Sequence, residues 1–270
     1  HTPAYLALRS YGLPSTPITS MLGTLQDMQY YTFTFHGMST KSFGGQTNQH
    51  SAKPQGSGQG NGAGPPLWSV VSSKMLEVMH KRNNSTKIIS PISHHCTEIC
   101  GFAFVDNTDL IQLSPTNNEQ QSTTEMQHIV NKWEAVSKTT GGALAPNKCW
   151  CWIINFDWNN DTWTYKDTTK QDNLRLTVKD QNDNKQPLLK RKANEAALML
   201  GVHLAPDGNN IKQLHYMKGK TSTLSEYIRS GHVTKYKAWI SLTMMTMKTL
   251  EYSLPAMTLS TEEHKEIMTP

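Results

Sequence analysis

Residues 98–113 read "EICGFAFVDNTDLIQL", two apolar runs broken once, at Asp106-Asn107. A polar break between β-prone runs signals a hairpin with its tip in solvent. Asp106 at such a tip is aimed by two strands, a rigid mount for a metal ligand. Ordinary turn chemistry accounts for the same pair of residues equally well, since Asp-Asn is common in turns.

Working back from the hairpin, "QGNGAGP" (Gln59 to Pro65) closes a polar, glycine-rich run that begins at Gly44. It opens directly into an apolar segment in which Leu67, Val70, Val71, Met75, Val78 and Met79 recur at helical spacing, so a helix is expected from Pro66. Dense glycine costs folding entropy and is kept where the backbone bends unusually or lies against something. The run matches neither the Walker loop, which needs Gly-Lys-Ser/Thr where Gly64-Pro65-Pro66 stand, nor Gly-x-Gly-x-x-Gly. It reads either as a flexible linker or as the entry to a helix N-terminus, whose unpaired N–H groups suit a sugar–phosphate.

The flanks supply further elements. "TPAYLALRSYG" predicts a short helix capped by Thr2 and stopped at Gly12, and "STPITSMLGTLQDM" a second reaching about Met28. "YYTFTF" (Tyr30 to Phe35) predicts a strand. Met126, Ile129, Val130, Trp133 and Val136 form one stripe of an amphipathic helix that ends at Gly141. "CWCWIINFDWNNDTWTYKD" predicts a hairpin turning at Trp158 to Asp161. Residues 167–190 are polar and are expected to form an exposed insertion. "NEAALMLGVHLAPDGN" reads as a helix followed by a short strand, and the chain from Ile211 as helical, with "KYKAWISLTMMTMKTLEY" its longest element. Helices set on antiparallel hairpins make the fold class α+β.

Composition bounds the function classes. The 270 residues carry a net charge of +5, a mild basic excess that is compatible with nucleic acid without requiring it. No run reaches the roughly 18 apolar residues of a membrane helix, and the N-terminus lacks a signal-peptide pattern. Four cysteines without secretion signals predict reduced thiols and an intracellular location, nucleus and cytoplasm being indistinguishable. His94, His95, Cys96, Cys100, Cys149 and Cys151 invite a zinc reading, but their spacing departs from paired zinc knuckles, and buried free thiols are the alternative. No nucleophile motif of the Gly-x-Ser-x-Gly, His-Glu-x-x-His or Cys/His kind occurs.

Taken in order, these stretches resemble the reverse transcriptases, RNA-directed DNA polymerases with a palm-and-fingers core, and most closely those of eukaryotic retroelements. "QGNGAGP" resembles the second palm motif, with Gln59, Gly60 and Pro65 at matching positions and Gly64 in place of serine. "FAFVDNTDL" resembles the third, with Asp106 at the metal position and Asn107 where a second aspartate stands. "KTTGGALAPNKCWCWIINF" resembles the fourth, with Lys148 as its lysine. "LMLGVHLAPDGN" resembles the step from palm to thumb, and "ALRSYGLP" the turn that follows the first motif.

The resemblance implies a palm-type antiparallel sheet with packed helices and partial fingers over 1–205, and a helical thumb-like region over 206–270. It implies nucleotidyl transfer with two divalent ions, magnesium or manganese, at Asp106 and weakly at Asn107. Asp106 and Lys148 would be catalytic, and Gln59, Gly60, Asn61, Gly62, Gly64 and Pro65 would face template and incoming nucleotide. The partners implied are an RNA template, a DNA primer and deoxynucleoside triphosphates, with no membrane. Lys218, Lys220, Arg229, Lys235 and Lys237 would grip duplex phosphates. The family's first motif is expected just before His1, so the chain is expected to be a piece of a longer protein, with activity absent or weakened. A non-catalytic nucleic-acid-binding module that keeps the fold is the alternative, and a small zinc-stabilised structural protein a third.

Overall fold

Alternating and helical periodicities along the chain close into short elements, seen here in a computed structural model that describes residues 2–44, 62–81, 86–104, 107–114, 118–171 and 173–269. The first part contains helices α1 (Thr2–Ser10) and α2 (Ser15–Asp27), strands β1 (Gln29–Thr34) and β2 (Gly37–Gly44), and helix α3 (Gly64–Lys81). Strands β3 (Thr86–Ile89), β4 (Cys96–Ile99), β5 (Gly101–Phe104) and β6 (Asn107–Leu110) lead to α4 (Glu119–Thr139). Then come β7 (Trp150–Trp152), β8 (Phe156–Asn159), β9 (Thr162–Tyr165), β10 (Thr177–Lys179), β11 (Lys185–Pro187) and β12 (Leu189–Arg191). β13 (Ala197–Met199) and β14 (Val202–Leu204) precede α5 (Ile211–Ser230), α6 (Lys235–Ser241), α7 (Lys248–Glu251) and α8 (Thr261–Met268). The mixture is α+β. Among the described residues the strands pair in twos, all antiparallel except β7 with β12.

The chain divides into two compact units. The first comprises His1–Cys149 with Arg175–Leu188. Its core is the apolar stripe of α3 (Val71, Met75 and Met79) against Ala4, Ala7 and Leu8 of α1, Ile18 and Leu22 of α2, and Ile129 and Trp133 of α4. Gly12, at φ +88°, ends α1 in the left-handed region that glycine tolerates best. Asn118 caps α4 by accepting from the Gln121 amide.

The 167–190 stretch departs from expectation. Leu174, Leu176 and Val178 are almost fully buried, and β10 pairs with β11. Within the first unit, α4 holds β10 by its side chains. Gln127 donates to the Thr177 carbonyl at 2.8 Å and accepts from the Thr177 amide at 2.7 Å, while buried Glu134 accepts from the Lys179 amide. A glutamine and a glutamate thus stand in for a neighbouring strand, so these residues are not a solvent-exposed insertion.

The second unit comprises Trp150–Leu174 with Leu189–Pro270. The chain from Ile211 lies within it and is largely helical, as expected. The helix expected in "NEAALMLG" is instead the hairpin β13–β14. Its turn places Leu200 at φ +49° and Gly201 at φ +84°, and the Tyr252 hydroxyl donates to the Leu200 carbonyl at 2.7 Å. Gln213, 1% exposed, accepts from the His203 amide and fixes β14 to α5. Helix α5 is the longest element of this region, because the stretch after Lys235 is interrupted by a π-helical segment, Leu242–Met247. Leu214, Met217, Leu250 and Ile267 form this unit's own cluster.

Candidate functional site

Hairpin β5–β6 has the expected register, with Phe102 opposite Asp109 and Phe104 opposite Asn107. Gly101 is required there: a Cβ would strike the Asp109 carbonyl across the pair. The hairpin is anchored at its base, where Cys100 donates from Sγ to the Leu76 carbonyl of α3 at 3.8 Å and Leu110 packs on the first unit's core. Its outward face carries Phe102, 57% exposed, and Phe104, 62% exposed, beside Asn107 and Asp109. Sequence reasoning missed this aromatic face. Strict alternation of large and small residues in "GFAF" is the signal that could have revealed it.

Asp106, Gln59, Gly60 and Asn61 lie outside the described residues. Gly64 begins α3, two residues earlier than expected, with Pro65 and Pro66 in its first turn. Among the described residues, a Cβ on Gly62 would meet nothing, so its lack of a side chain has no packing cause there. Lys148 ends a short 3-10 turn, Pro146–Lys148, and is exposed. Among the described residues no hydrogen bond or ion pair joins Asn107, Lys148 and Gly64 to one another.

For a divalent cation the described residues offer little. They bring no three His, Cys, Asp or Glu side chains together. Asp109 shares the outward face with Asn107, and partial desolvation raises its carboxyl above its ordinary value. The four cysteines are free thiols, with Cys100 and Cys151 buried.

A second cluster lies in the second unit. From Tyr227 to Leu250 the chain has no acidic residue. Tyr227, Tyr236 and Trp239 are each more than 60% exposed, and Arg229, Lys235 and Lys237 are exposed and in no ion pair among the described residues. Two cations of the expected phosphate grip are otherwise engaged: Lys218 pairs with Glu266, and Lys220 sits 5.4 Å over the Tyr216 ring.

No family model matches the chain, and neither curated proteins nor solved structures give a match. Among the described residues no helix is long and apolar enough to cross a membrane.

Proposed function

We propose that the chain is part of an RNA-directed DNA polymerase of the reverse-transcriptase type, with a palm and fingers core over 1–205 and a thumb-like helical region over 206–270. One observation carries the reading. Cys100 and Leu110, which flank the β5–β6 hairpin, share one core with α3, the helix that follows the glycine run.

Nucleotidyl transfer relies on two hard cations held by carboxylates. Asp106 is the residue that would supply charge. Asn107 offers only an amide oxygen, and desolvation raises the Asp109 carboxyl above its ordinary value. Catalysis by this chain is therefore weak. Primer extension with magnesium by the intact protein is expected to be marginal and to rise when Asn107→Asp restores the second carboxylate. Robust synthesis by the wild type would overturn the first expectation.

The acid-free stretch 227–250 favours a second reading, a nucleic-acid-binding module without chemistry. Aromatics with unpaired cations hold strands by stacking and counterion release. Binding of a primer–template should weaken with salt, and replacing each of Arg229, Lys235 and Lys237 by alanine should reduce the slope by about 1. Salt-sensitive binding with no incorporation, even by Asn107→Asp, selects the module. Absence of any binding would overturn both readings.

A further inference from the structure

Hairpin β1–β2 of the first unit meets solvent on both faces. Every residue from Tyr31 to His36 is exposed, and successive side chains of a strand point to opposite faces. The outer end is apolar. Phe35, in the turn, is 100% exposed, and Phe33 and Met38, paired across the strands, are 81% and 64% exposed.

A lone hairpin is marginal in water, yet this one is braced by its own polar groups. The His36 amide donates to the Thr34 hydroxyl at 3.2 Å, and that hydroxyl donates to the Gly37 carbonyl at 3.3 Å. Gly37 turns the chain at φ +107°, a backbone that glycine adopts freely. Below the turn, Thr32 alone faces Ser39, Thr40 and Lys41, a bulge between the Phe33–Met38 and Tyr31–Ser42 pairs. Ser39 closes the bulge by accepting from the Thr32 amide at 3.1 Å and donating to the Lys41 carbonyl at 2.7 Å. The apolar tip is thus held in shape by local bonds.

Charge and side-chain type say what meets it. From Met28 to Leu76 the chain has three lysines and no acidic residue. Lys41 is exposed and in no ion pair among the described residues. The nearest acid before the hairpin, Asp27, lies beyond the Gln29–Gly44 pair, at the end away from the tip. An anionic partner therefore meets attraction at the bulge and no repulsion from the hairpin itself. Phospholipid and nucleic acid both carry that charge, and His36 separates them. It is exposed at the tip, its ring edge-on to Phe35 with centroids 5.6 Å apart. A polar ring at the leading point is costly in hydrocarbon, whereas histidine stacks on bases as phenylalanine does. Phenylalanine and methionine are also among the side chains that proteins insert between base steps, unstacking them. A hairpin open on both faces leaves room for one strand along each.

We infer that the β1–β2 tip is a wedge that parts the first base pair at a junction of single- and double-stranded nucleic acid, with Phe33 and Phe35 inserting and Lys41 meeting a phosphate behind them. The inference rests on the nucleic-acid readings above and adds to them a site that neither includes.

The test uses the full chain and a forked duplex with 2-aminopurine in its first pair, whose fluorescence rises on unstacking. Binding is followed separately by anisotropy. The wild type should raise the fluorescence on binding. Phe33→Ala with Phe35→Ala should abolish the rise and lower affinity about tenfold, the effect of losing one stacked base. Both rings are exposed, so the fold is kept, which protection of the α3 amides from exchange verifies. Lys41→Ala should reduce the salt slope of binding by about 1 and keep the rise at low salt. Binding with no rise, or a rise that the double variant retains, would overturn the wedge and leave the nucleic-acid readings standing. Absence of binding would remove those readings and the wedge together. Phenylalanine-dependent capture by phosphatidylserine vesicles in preference to the fork would assign the tip to a lipid surface and reject the inference, as would self-association that the double variant abolishes.

Discussion

Glu77 shows how an exposed side chain can carry pH dependence. Hydrogen bonds from Lys74, first, and Lys81 hold its carboxyl down to about 2 from an ordinary 4.5. A carboxylate whose pKa is depressed by folding contributes stability that is present above its unfolded value and lost as protons return. That contribution should therefore be intact at neutral pH and disappear as pH falls from about 4.5 to about 2. In unfolding followed by circular dichroism, Glu77→Gln should be less stable than the wild type by a constant amount above about pH 4.5 and converge with it as pH falls to about 2. The same single-residue logic limits what Asn107 can do. It occupies a strand position where a carboxylate would be aimed usefully, and an amide cannot supply the charge.

At the scale of elements, the α4–β10 junction is the least conventional piece of the fold. Gln127 and Glu134, seven residues apart and on one face of the helix, satisfy the edge of β10. Leaving a buried backbone group unpaired costs about 1–3 kcal/mol. Gln127→Ala combined with Glu134→Ala should thus raise hydrogen exchange at the 177 and 179 amides, with α3 still protected. Unchanged exchange there would show that β11 alone holds the strand.

This region also marks where sequence reading succeeds and where it stops. The β5–β6 hairpin, the hairpin expected to turn at Trp158 to Asp161, the stripe of α3 and the stripe of α4 are all legible, because each rests on local periodicity and turn chemistry. The 167–190 stretch looked like an insertion because polar residues outnumber apolar ones. Yet Leu174, Leu176 and Val178 alternate strictly, and that two-residue period was the available signal. In 194–204 the high helix propensity of Ala, Leu, Met and Glu misled, because long-range bonds from Tyr252 and Gln213 fix a hairpin there. Of the candidate site, Asn107 and Gly64 stand on the elements read from sequence, whereas the exposure of Phe102, Phe104, Tyr227, Tyr236 and Trp239 emerges only from burial.

Across the whole molecule, each unit has its own core. No residue of the cluster around Met79 belongs to the cluster around Leu250. Truncations in cores typically cost about 2–5 kcal/mol, and sites without shared partners combine additively to within about 0.5 kcal/mol. Met79→Ala and Leu250→Ala, made singly and together and measured by denaturant unfolding, should therefore sum. A marked departure from the sum would mean that the two clusters are energetically one.

The parallel pairing of β7 with β12 has a consequence for biosynthesis. Trp150 to Trp152 must wait for Leu189 to Arg191, and between them the ribosome delivers the segment that completes the earlier unit. Neither body can be finished before about residue 188 has left the exit tunnel, and Gln127 and Glu134 lack their strand until Thr177–Lys179 has emerged.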